Sequence, residues 1–528
     1  MKIAVIGAGY VGLVSAACFA EFGHDVVTVD NDKNKIAALN MGHCPIHEEM
    51  LPELLGRHGG GRLRFSTDTR TAFHFCDVAF ICVGTPPAPN GDADLSFVEG
   101  VARELALSLD RHKVIVEKST VPVGTCEAVR RTMMLHGACA DDFSIASNPE
   151  FLREGTAVTD FLYPDRILLG VADDRSREAL EEIYRPILDG SYYFRHDAIP
   201  GPKSSPAKLI VSSMKSAELI KHASNAFLAL KISFINAVAT VCEGVGADAR
   251  EVVEGVGSDS RIGPKFLTPG IGYGGSCFPK DVLAFRSVAK AVGYDFALLT
   301  EVMAINNDQR GRFVAKVRDA LWTLRGKKLA VLGLAFKGGT DDIRDSPAME
   351  IVELLLEEGV SIRAYDPAAM ERARAVLGDK VVFAEDAYDA CEGADAVLVL
   401  TEWKQFAELD LLRVRELLKL PILLDGKNVL KSEEVCAAGM QYFGVGCEPG
   451  RPVGLRHAAA SPEYPYPSHQ DRSHRTDQAY IPNPGYLAEE AGLADAYAAD
   501  GNFLHGAGAA AAALPAPVDA DDLASAAA

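Results

Sequence analysis

The chain opens with an apolar strand that runs straight into a glycine turn, Lys2-Ile3-Ala4-Val5-Ile6-Gly7-Ala8-Gly9-Tyr10-Val11-Gly12, and repeats the device at Lys327-Lys328-Leu329-Ala330-Val331-Leu332-Gly333. A strand, a tight glycine turn and a following helix make the first βα unit of a doubly wound α/β domain. The echo goes further. Val26–Val29 ends in Asp30 as Val360–Tyr365 ends in Asp366-Pro367, and the approach to Phe80–Val83 through Cys76-Asp77-Val78-Ala79 matches the approach to Leu398–Leu400 through Gly393-Ala394-Asp395-Ala396-Val397. In the first copy the strands are predicted at Lys2–Ile6, Asp25–Asp30, Val78–Val83, Lys113–Lys118 and Phe143–Ser147. Between the copies the texture changes: from Pro206 to Gly244 no glycine or proline intervenes, enough for a helix of about 50 Å at ~1.5 Å per residue. The fold class expected is therefore α/β, with two Rossmann-like doubly wound domains flanking a helical middle domain built on a long central helix.

Composition excludes several classes. The net charge of −20 disfavours nucleic acid and anionic membrane as partners, so an anionic substrate needs a local basic pocket. No signal peptide precedes the first strand, and the longest apolar runs read as strand-length pieces, so a soluble, cytoplasmic protein is expected. Eleven cysteines without a CxxC pair suggest reduced thiols. Cys18, Cys82 and Cys242 sit in apolar surroundings and read as core, whereas Cys277 looks exposed. After about Gly450 the sequence turns to Ala, Pro, Gly, Ser and His, including the run Ala509–Ala513, and residues 451–528 read as a disordered low-complexity tail.

The first glycine turn has the context that a dinucleotide fingerprint requires, and Asp30 lies at the second strand end, where a carboxylate would bond the adenosine ribose and repel a 2′-phosphate. NAD is favoured over NADP; a flavin or a purely structural turn are the alternatives. Val83-Gly84-Thr85-Pro86-Pro87, Glu117-Lys118-Ser119-Thr120-Val121-Pro122 and Ser147-Asn148-Pro149-Glu150-Phe151-Leu152-Arg153-Glu154 lie at or past other strand ends, the edge where ligands bind such sheets. Lys221 and Asn225 share one face of the middle helix, where a lysine among Leu219, Ile220 and Phe227 needs a partner or a lowered pKa, unless it snorkels to solvent. In Gly270-Ile271-Gly272-Tyr273-Gly274-Gly275-Ser276-Cys277-Phe278-Pro279-Lys280-Asp281, a thiol, an ammonium and a carboxylate fall within five positions of a glycine-rich loop. That grouping points to nucleophilic chemistry.

With these segments, AELIKHASNAFLALKISFIN and GLAFKGGTDDIRDSP, the chain resembles the UDP-glucose/GDP-mannose dehydrogenase family over roughly residues 1–445. The middle-helix wording and Arg261-Ile262-Gly263 are similar to the UDP-glucose branch, with GDP-mannose or another nucleotide sugar as the alternative substrate. The resemblance implies an NAD-dependent four-electron oxidation of UDP-glucose to UDP-glucuronate through a thiohemiacetal and a thioester. It implies an NAD-binding domain at 1–203, a central dimerisation domain at 204–305, a UDP-sugar-binding domain at 306–450 and a homodimer or higher homo-oligomer. Carried over residue by residue, the catalytic set is Cys277, Lys221, Asp281, Asn225, Glu150 and Thr120. NAD contacts fall on Gly7, Gly9, Tyr10, Val11, Gly12, Asp30, Lys35, Thr85, Thr120, Glu154, Lys280 and Arg344. Substrate contacts fall on Phe151, Leu152, Lys221, Asn225, Tyr273, Gly274, Phe336, Lys337 and, across the dimer, Arg261. No metal is implied. Lys427 stands where many family members carry arginine. A non-catalytic nucleotide-sugar sensor would tolerate loss of Cys277 and Lys221, and a two-electron hydroxyacid dehydrogenase has no need of the thiol.

Overall fold

The computed structural model describes residues 1–88, 92–202 and 205–452. Apart from residues 451 and 452, the expected tail lies outside the described residues. Strands β1 (Lys2–Ile6), β2 (Asp25–Val29), β3 (Leu63–Ser66), β4 (Val78–Ile81), β5 (Lys113–Glu117), β6 (Phe143–Ser147), β7 (Arg166–Val171) and β8 (Lys208–Ser212) form one sheet in the order β3-β2-β1-β4-β5-β6-β7-β8. It is parallel except where β7 meets β6. A second sheet, all parallel, takes β9 (Lys328–Leu332), β10 (Ser361–Tyr365), β11 (Val382–Phe383), β12 (Ala396–Val399), β13 (Ile422–Asp425) and β14 (Gln441–Phe443) in the order β11-β10-β9-β12-β13-β14. The six strands of the second sheet thus repeat the order of the first six strands of the first. The repeat seen in the sequence is a repeat of topology, and each sheet has its switch point between the strand that enters the glycine turn and the strand that begins the other half.

β1, β2, β4, β5 and β6 lie where the sequence predicts them. β8 does not: Lys208–Ser212 pairs in parallel with β7, and the helix begins only at Met214, where Ser213 Oγ caps the Ser216 amide at 3.2 Å. The absence of glycine and proline disguised an apolar strand as the start of a helix. The first sheet consequently extends past residue 203, and the helix Ala297–Leu321 spans the expected boundary at 305.

The long helix Met214–Val245 has 32 residues and, with a mean hydropathy of 1.5 in its most apolar window, is long and apolar enough to cross a bilayer. This corrects the expectation that every apolar run is strand-length. The helix nevertheless carries buried Glu218, Lys221, His222, Asn225, Ser233 and Asn236. Each is bonded to another protein group: Glu218 to the Gly124 and Cys126 amides, His222 to Val121 O, Ser233 to Val302 O, Asn236 to the Gly270 amide, and Lys221 and Asn225 to carboxylates described below. Six bonded polar groups along one apolar helix mark it as the core of a folded domain.

Between β1 and the helix Tyr10–Glu21, Gly7 adopts φ +102° against the Cys82 carbonyl, and a Cβ on Gly12 would lie 1.9 Å from Gly7 O. Both positions exclude a side chain. We expect Gly12→Ala to push the helix off the sheet, lowering the urea midpoint by the equivalent of about 1–3 kcal/mol. An unchanged midpoint would contradict this packing.

Candidate active site

The turn after β1 fits a dinucleotide. A Cβ placed on Gly9 would meet no atom within 4 Å, so the backbone is open to a ligand there. The helix starting at Tyr10 has neither a side-chain cap nor an acidic residue in its first turn, which leaves the amides of Tyr10, Val11 and Gly12 able to meet a pyrophosphate. At the end of β2, Asp30 Oδ2 accepts the Ala8 amide at 2.8 Å and Lys35 Nζ at 3.1 Å, while Oδ1 accepts the Asp32 amide. The carboxylate is therefore held at the turn, as ribose recognition requires. Thr85, at the edge after β4, donates to Thr120 O at 2.9 Å and receives Lys280 Nζ at 3.1 Å. These contacts tie the lysine of the middle domain to the first sheet's ligand edge. Tyr10 OH accepts the Gly155 amide at 2.6 Å, linking the turn to the loop that carries Glu150 and Glu154.

Beside this edge lie two buried polar pairs. Lys221 Nζ donates to Glu150 Oε1 at 2.9 Å, with both side chains 4% exposed. Asn225 Nδ2, one helical turn on, donates to Asp281 Oδ2 at 2.5 Å. Glu150 Oε2 accepts the Leu152 amide, and the Phe151 ring lies between Arg166 and Lys221, 5.4 Å from the ammonium. Asp281 Oδ1, 3.9 Å from Lys280 Nζ, is buried without a protein hydrogen bond and can accept one from a water or a substrate hydroxyl. Cys277 caps the helix Phe278–Ala291, and its carbonyl accepts the Asp281 amide at 2.9 Å, so thiol and carboxylate leave the same helical turn.

The charges act on one another. Burial works against the Lys221 ammonium, but Glu150, Asp281 and Cys277 outweigh it and raise its pKa. Glu150 is the complement: burial favours its acid form, yet Lys221 holds it below the ordinary carboxylate range. Burial, with Glu150 and Asp281 nearby, pushes the Cys277 thiol up to about 11 against the pull of Lys221. Cys277 is only partly exposed, which corrects the expectation of an exposed thiol; Cys139 is the exposed cysteine, and all eleven are free.

A third group of residues joins this site to the second sheet's domain. Ser276 Oγ donates to Glu154 Oε1 at 2.8 Å, and Arg344 reaches the same oxygen at 3.6 Å while forking onto Asp342 at 2.7–3.0 Å. Burial, with Asp342 nearby, pushes the Glu154 carboxyl above the ordinary carboxylate range against the pull of Arg344. The Phe336 ring covers Gly275, Gly274 lies against Asp345 O, and Lys337 sits beside Phe336. Lys427 pairs with Glu402 at 3.3 Å. The Tyr273 ring packs in the middle-domain core with Ala226, Val282 and Leu299, edge-on to Phe278. Arg261 is 86% exposed and paired with Asp259 on the surface of this chain. Among the described residues, no cluster of His, Cys, Asp and Glu could hold a metal ion.

Three family models match in succession: the NAD binding domain of the UDP-glucose/GDP-mannose dehydrogenase family over residues 1–188, its central domain over 215–308 and its UDP binding domain over 330–432. The chain belongs to this family. It is 44% identical to a UDP-glucose 6-dehydrogenase of Bacillus subtilis (84% of this chain, 93% of the relative) and 46% identical to one of Rhizobium meliloti (84% and 99%). A solved UDP-glucose dehydrogenase from Pyrobaculum islandicum superposes with a TM-score of 0.74 at 39% identity (84% of this chain, 98% of that one). A UDP-D-ManNAc dehydrogenase from Pyrococcus horikoshii gives 0.71 at 29% identity (84% and 99%).

Sequence reasoning missed the roles of Ser276 and Asp342, although both lie inside the segments that carry the family resemblance. It also missed Lys118, buried behind Glu150, bonded to Asn148 Oδ1 at 3.1 Å and pushed down to about 8 by burial. Its proximity to strand end Glu117 in the sequence was the available signal. Since the thiolate is the reactive form, its fraction should rise about tenfold per pH unit below the thiol pKa. We expect alkylation of Cys277 by iodoacetamide, followed on its own peptide, to rise this way from pH 7 to 10 without levelling. A plateau below pH 9 would contradict the environment described.

Proposed function

We propose that this chain oxidises the C6 alcohol of UDP-glucose to the carboxylate of UDP-glucuronate, with two NAD consumed per sugar. The observation that carries the reading is the convergence of Cys277, Lys221–Glu150 and Asn225–Asp281 beside the ligand edge of an NAD-binding domain. NAD, held by the Gly7–Gly12 turn and Asp30, would supply the hydride acceptor for both oxidations at C6. Lys221, held as an ammonium, donates hydrogen bonds to the C6 oxygen and stabilises negative charge developing there. With the lysine protonated, the proton of the alcohol passes to a water on the open Asp281 Oδ1. Cys277 sulfur forms a C–S bond to the aldehyde carbon while its proton passes to the aldehyde oxygen, giving the thiohemiacetal; at the second oxidation the hydroxyl proton leaves to water and the C–S bond becomes part of a thioester. Glu150, ionised by its partner, takes a proton from the water that breaks the C–S bond, and the thiol is regenerated. In sum, alcohol, water and two NAD give carboxylate, two NADH and three protons.

In this reading residues 1–203 hold NAD, 306–450 hold the UDP moiety and 204–305 pair two subunits. Phe227, Phe234 and Val241 recur every seven residues on the long helix and are all more than half exposed, which supports a homodimer along it. Light scattering should then give twice 56.4 kDa. A monomer at assay concentration would overturn the dimer. The reading also includes a cytoplasmic location, in keeping with eleven free thiols, and no nucleic-acid or membrane partner, in keeping with the acidic surface. Kinetics with UDP-glucose, GDP-mannose and UDP-N-acetylmannosamine test the substrate. Two NADH per UDP-glucose and the highest kcat/KM for it support the reading, and a preference for another sugar would overturn it.

The roles separate by mutation. Cys277→Ser should abolish acid formation while leaving reduction of the C6 aldehyde by NADH, which needs no sulfur. Lys221→Ala should slow both directions by about a hundredfold or more. Acid production by the serine variant near the wild-type rate would eliminate the covalent route.

A further inference from the structure

The loop that presents Cys277 has no regular structure from Gly263 to Ser276, and its glycines do not define a conformation of their own. Its shape must come from outside partners. The Gly270 amide donates to Asn236 Oδ1 at 2.8 Å, the Ile271 amide to Gly426 O at 2.9 Å and the Gly275 amide to Arg344 O at 2.9 Å. At the centre, Asn306 Oδ1 accepts the Tyr273 amide at 2.8 Å while Asn306 Nδ2 donates to Tyr273 O at 3.1 Å. Arg310 Nη2 reaches the same carbonyl at 3.3 Å and its Nη1 donates to Asn306 O at 2.6 Å. Donations at 271, 273 and 275 follow the alternation of a strand edge, with borrowed acceptors in place of a neighbouring strand.

We propose that Asn306 is a positioning residue for the catalytic thiol. Its amide engages both backbone groups of one residue, so it fixes the rotation of the chain about Tyr273 and not merely its distance. Asparagine is a poor helix former, yet this one lies 3% exposed in the interior of the helix Ala297–Leu321. Both of its polar atoms are spent on the loop. The packing permits no substitute on the loop side, since a Cβ on Gly272, at φ +102°, would lie 2.7 Å from Asn306 Oδ1. Behind the clamp is a cavity of about 20 Å³, lined by Tyr273, Pro279, Leu283, Asn306, Arg310 and Glu350. That is room for about one water. Arg310, paired with Glu350 at 3.2 Å, supports the clamp from below. Asn306 touches no reacting atom; it acts through the Tyr273 backbone on Cys277, four residues further on.

The inference rests on Cys277 as the nucleophile, and its test can fail separately from the substrate assignment. Asn306→Leu removes both bonds and keeps the branching of the side chain, whereas Asn306→Asp keeps the acceptor for the Tyr273 amide and cannot donate to Tyr273 O. Displacement of a reacting group by about 1 Å can cost a hundredfold, so we expect kcat with UDP-glucose to fall about twentyfold or more in the leucine variant and about fivefold in the aspartate variant. KM for UDP-glucose and NAD should stay within about threefold of wild type, because the ligand-holding edges are untouched. Iodoacetamide alkylation of Cys277 in the substrate-free enzyme should shift at least about fivefold at fixed pH, since the thiol leaves its buried setting. Unchanged alkylation, a kcat within twofold of wild type, or a loss confined to KM would overturn the proposal. Should the leucine variant fail to fold, the aspartate variant decides on the same readouts. If wild-type enzyme yields no NADH from UDP-glucose, the substrate reading falls while the alkylation result still judges the clamp.

Discussion

The ion pair between Lys221 and Glu150 joins the long helix to the ligand edge of the first sheet, and the rest of the site is arranged around it. Two charges that are 4% exposed would each be costly alone, and removing one partner of such a pair leaves the other buried and uncompensated. The pair is thus weak as a source of stability and strong as a constraint on geometry. Once Lys221 is held, its helix neighbour Asn225 is aimed at Asp281, and Asp281 sits one turn from Cys277. The sign of the charges is in keeping with the chemistry proposed. A lysine kept protonated stabilises oxyanions, and a glutamate kept ionised can act as a base when water attacks.

The pocket is also a meeting of three parts of the chain. Glu154 comes from the first sheet's edge, Ser276 from the glycine loop, and Arg344, paired with Asp342, from the loop after β9, and they converge on the Glu154 carboxyl group. The loop itself borrows hydrogen-bond partners from the long helix, the helix Ala297–Leu321 and two carbonyls of the third part, Arg344 O and Gly426 O. The position of the thiol therefore depends on how the sugar-nucleotide half sits against the cofactor half.

Much of this was legible in the sequence, for reasons that can be named. β1, β2, β4, β5 and β6 are short apolar runs bounded by glycine or acidic residues, and the two glycine turns disclosed the duplicated topology. β8 was not legible, because an apolar strand directly ahead of a helix lacks punctuation. Cys277 stood out by its polar glycine context, but its raised pKa is set by burial among Glu150, Asp281 and Lys221, two of which are far away in sequence. The resemblance implies a substrate contact at Tyr273, and that its ring packs with Ala226, Val282 and Leu299 could not be read from the sequence. Asn306 gave no signal at all, since a single asparagine in a helix says nothing until the loop it holds is seen.

In the reaction proposed here, the sugar passes through a bond between Cys277 sulfur and C6, with Glu150 needed to break it. Mass spectrometry of Glu150→Gln enzyme, quenched after mixing with UDP-glucose and NAD, tests that bond directly. The expected result is a UDP-glucuronyl thioester on the peptide containing Cys277. An unmodified Cys277 peptide alongside acid released at the wild-type rate would contradict it.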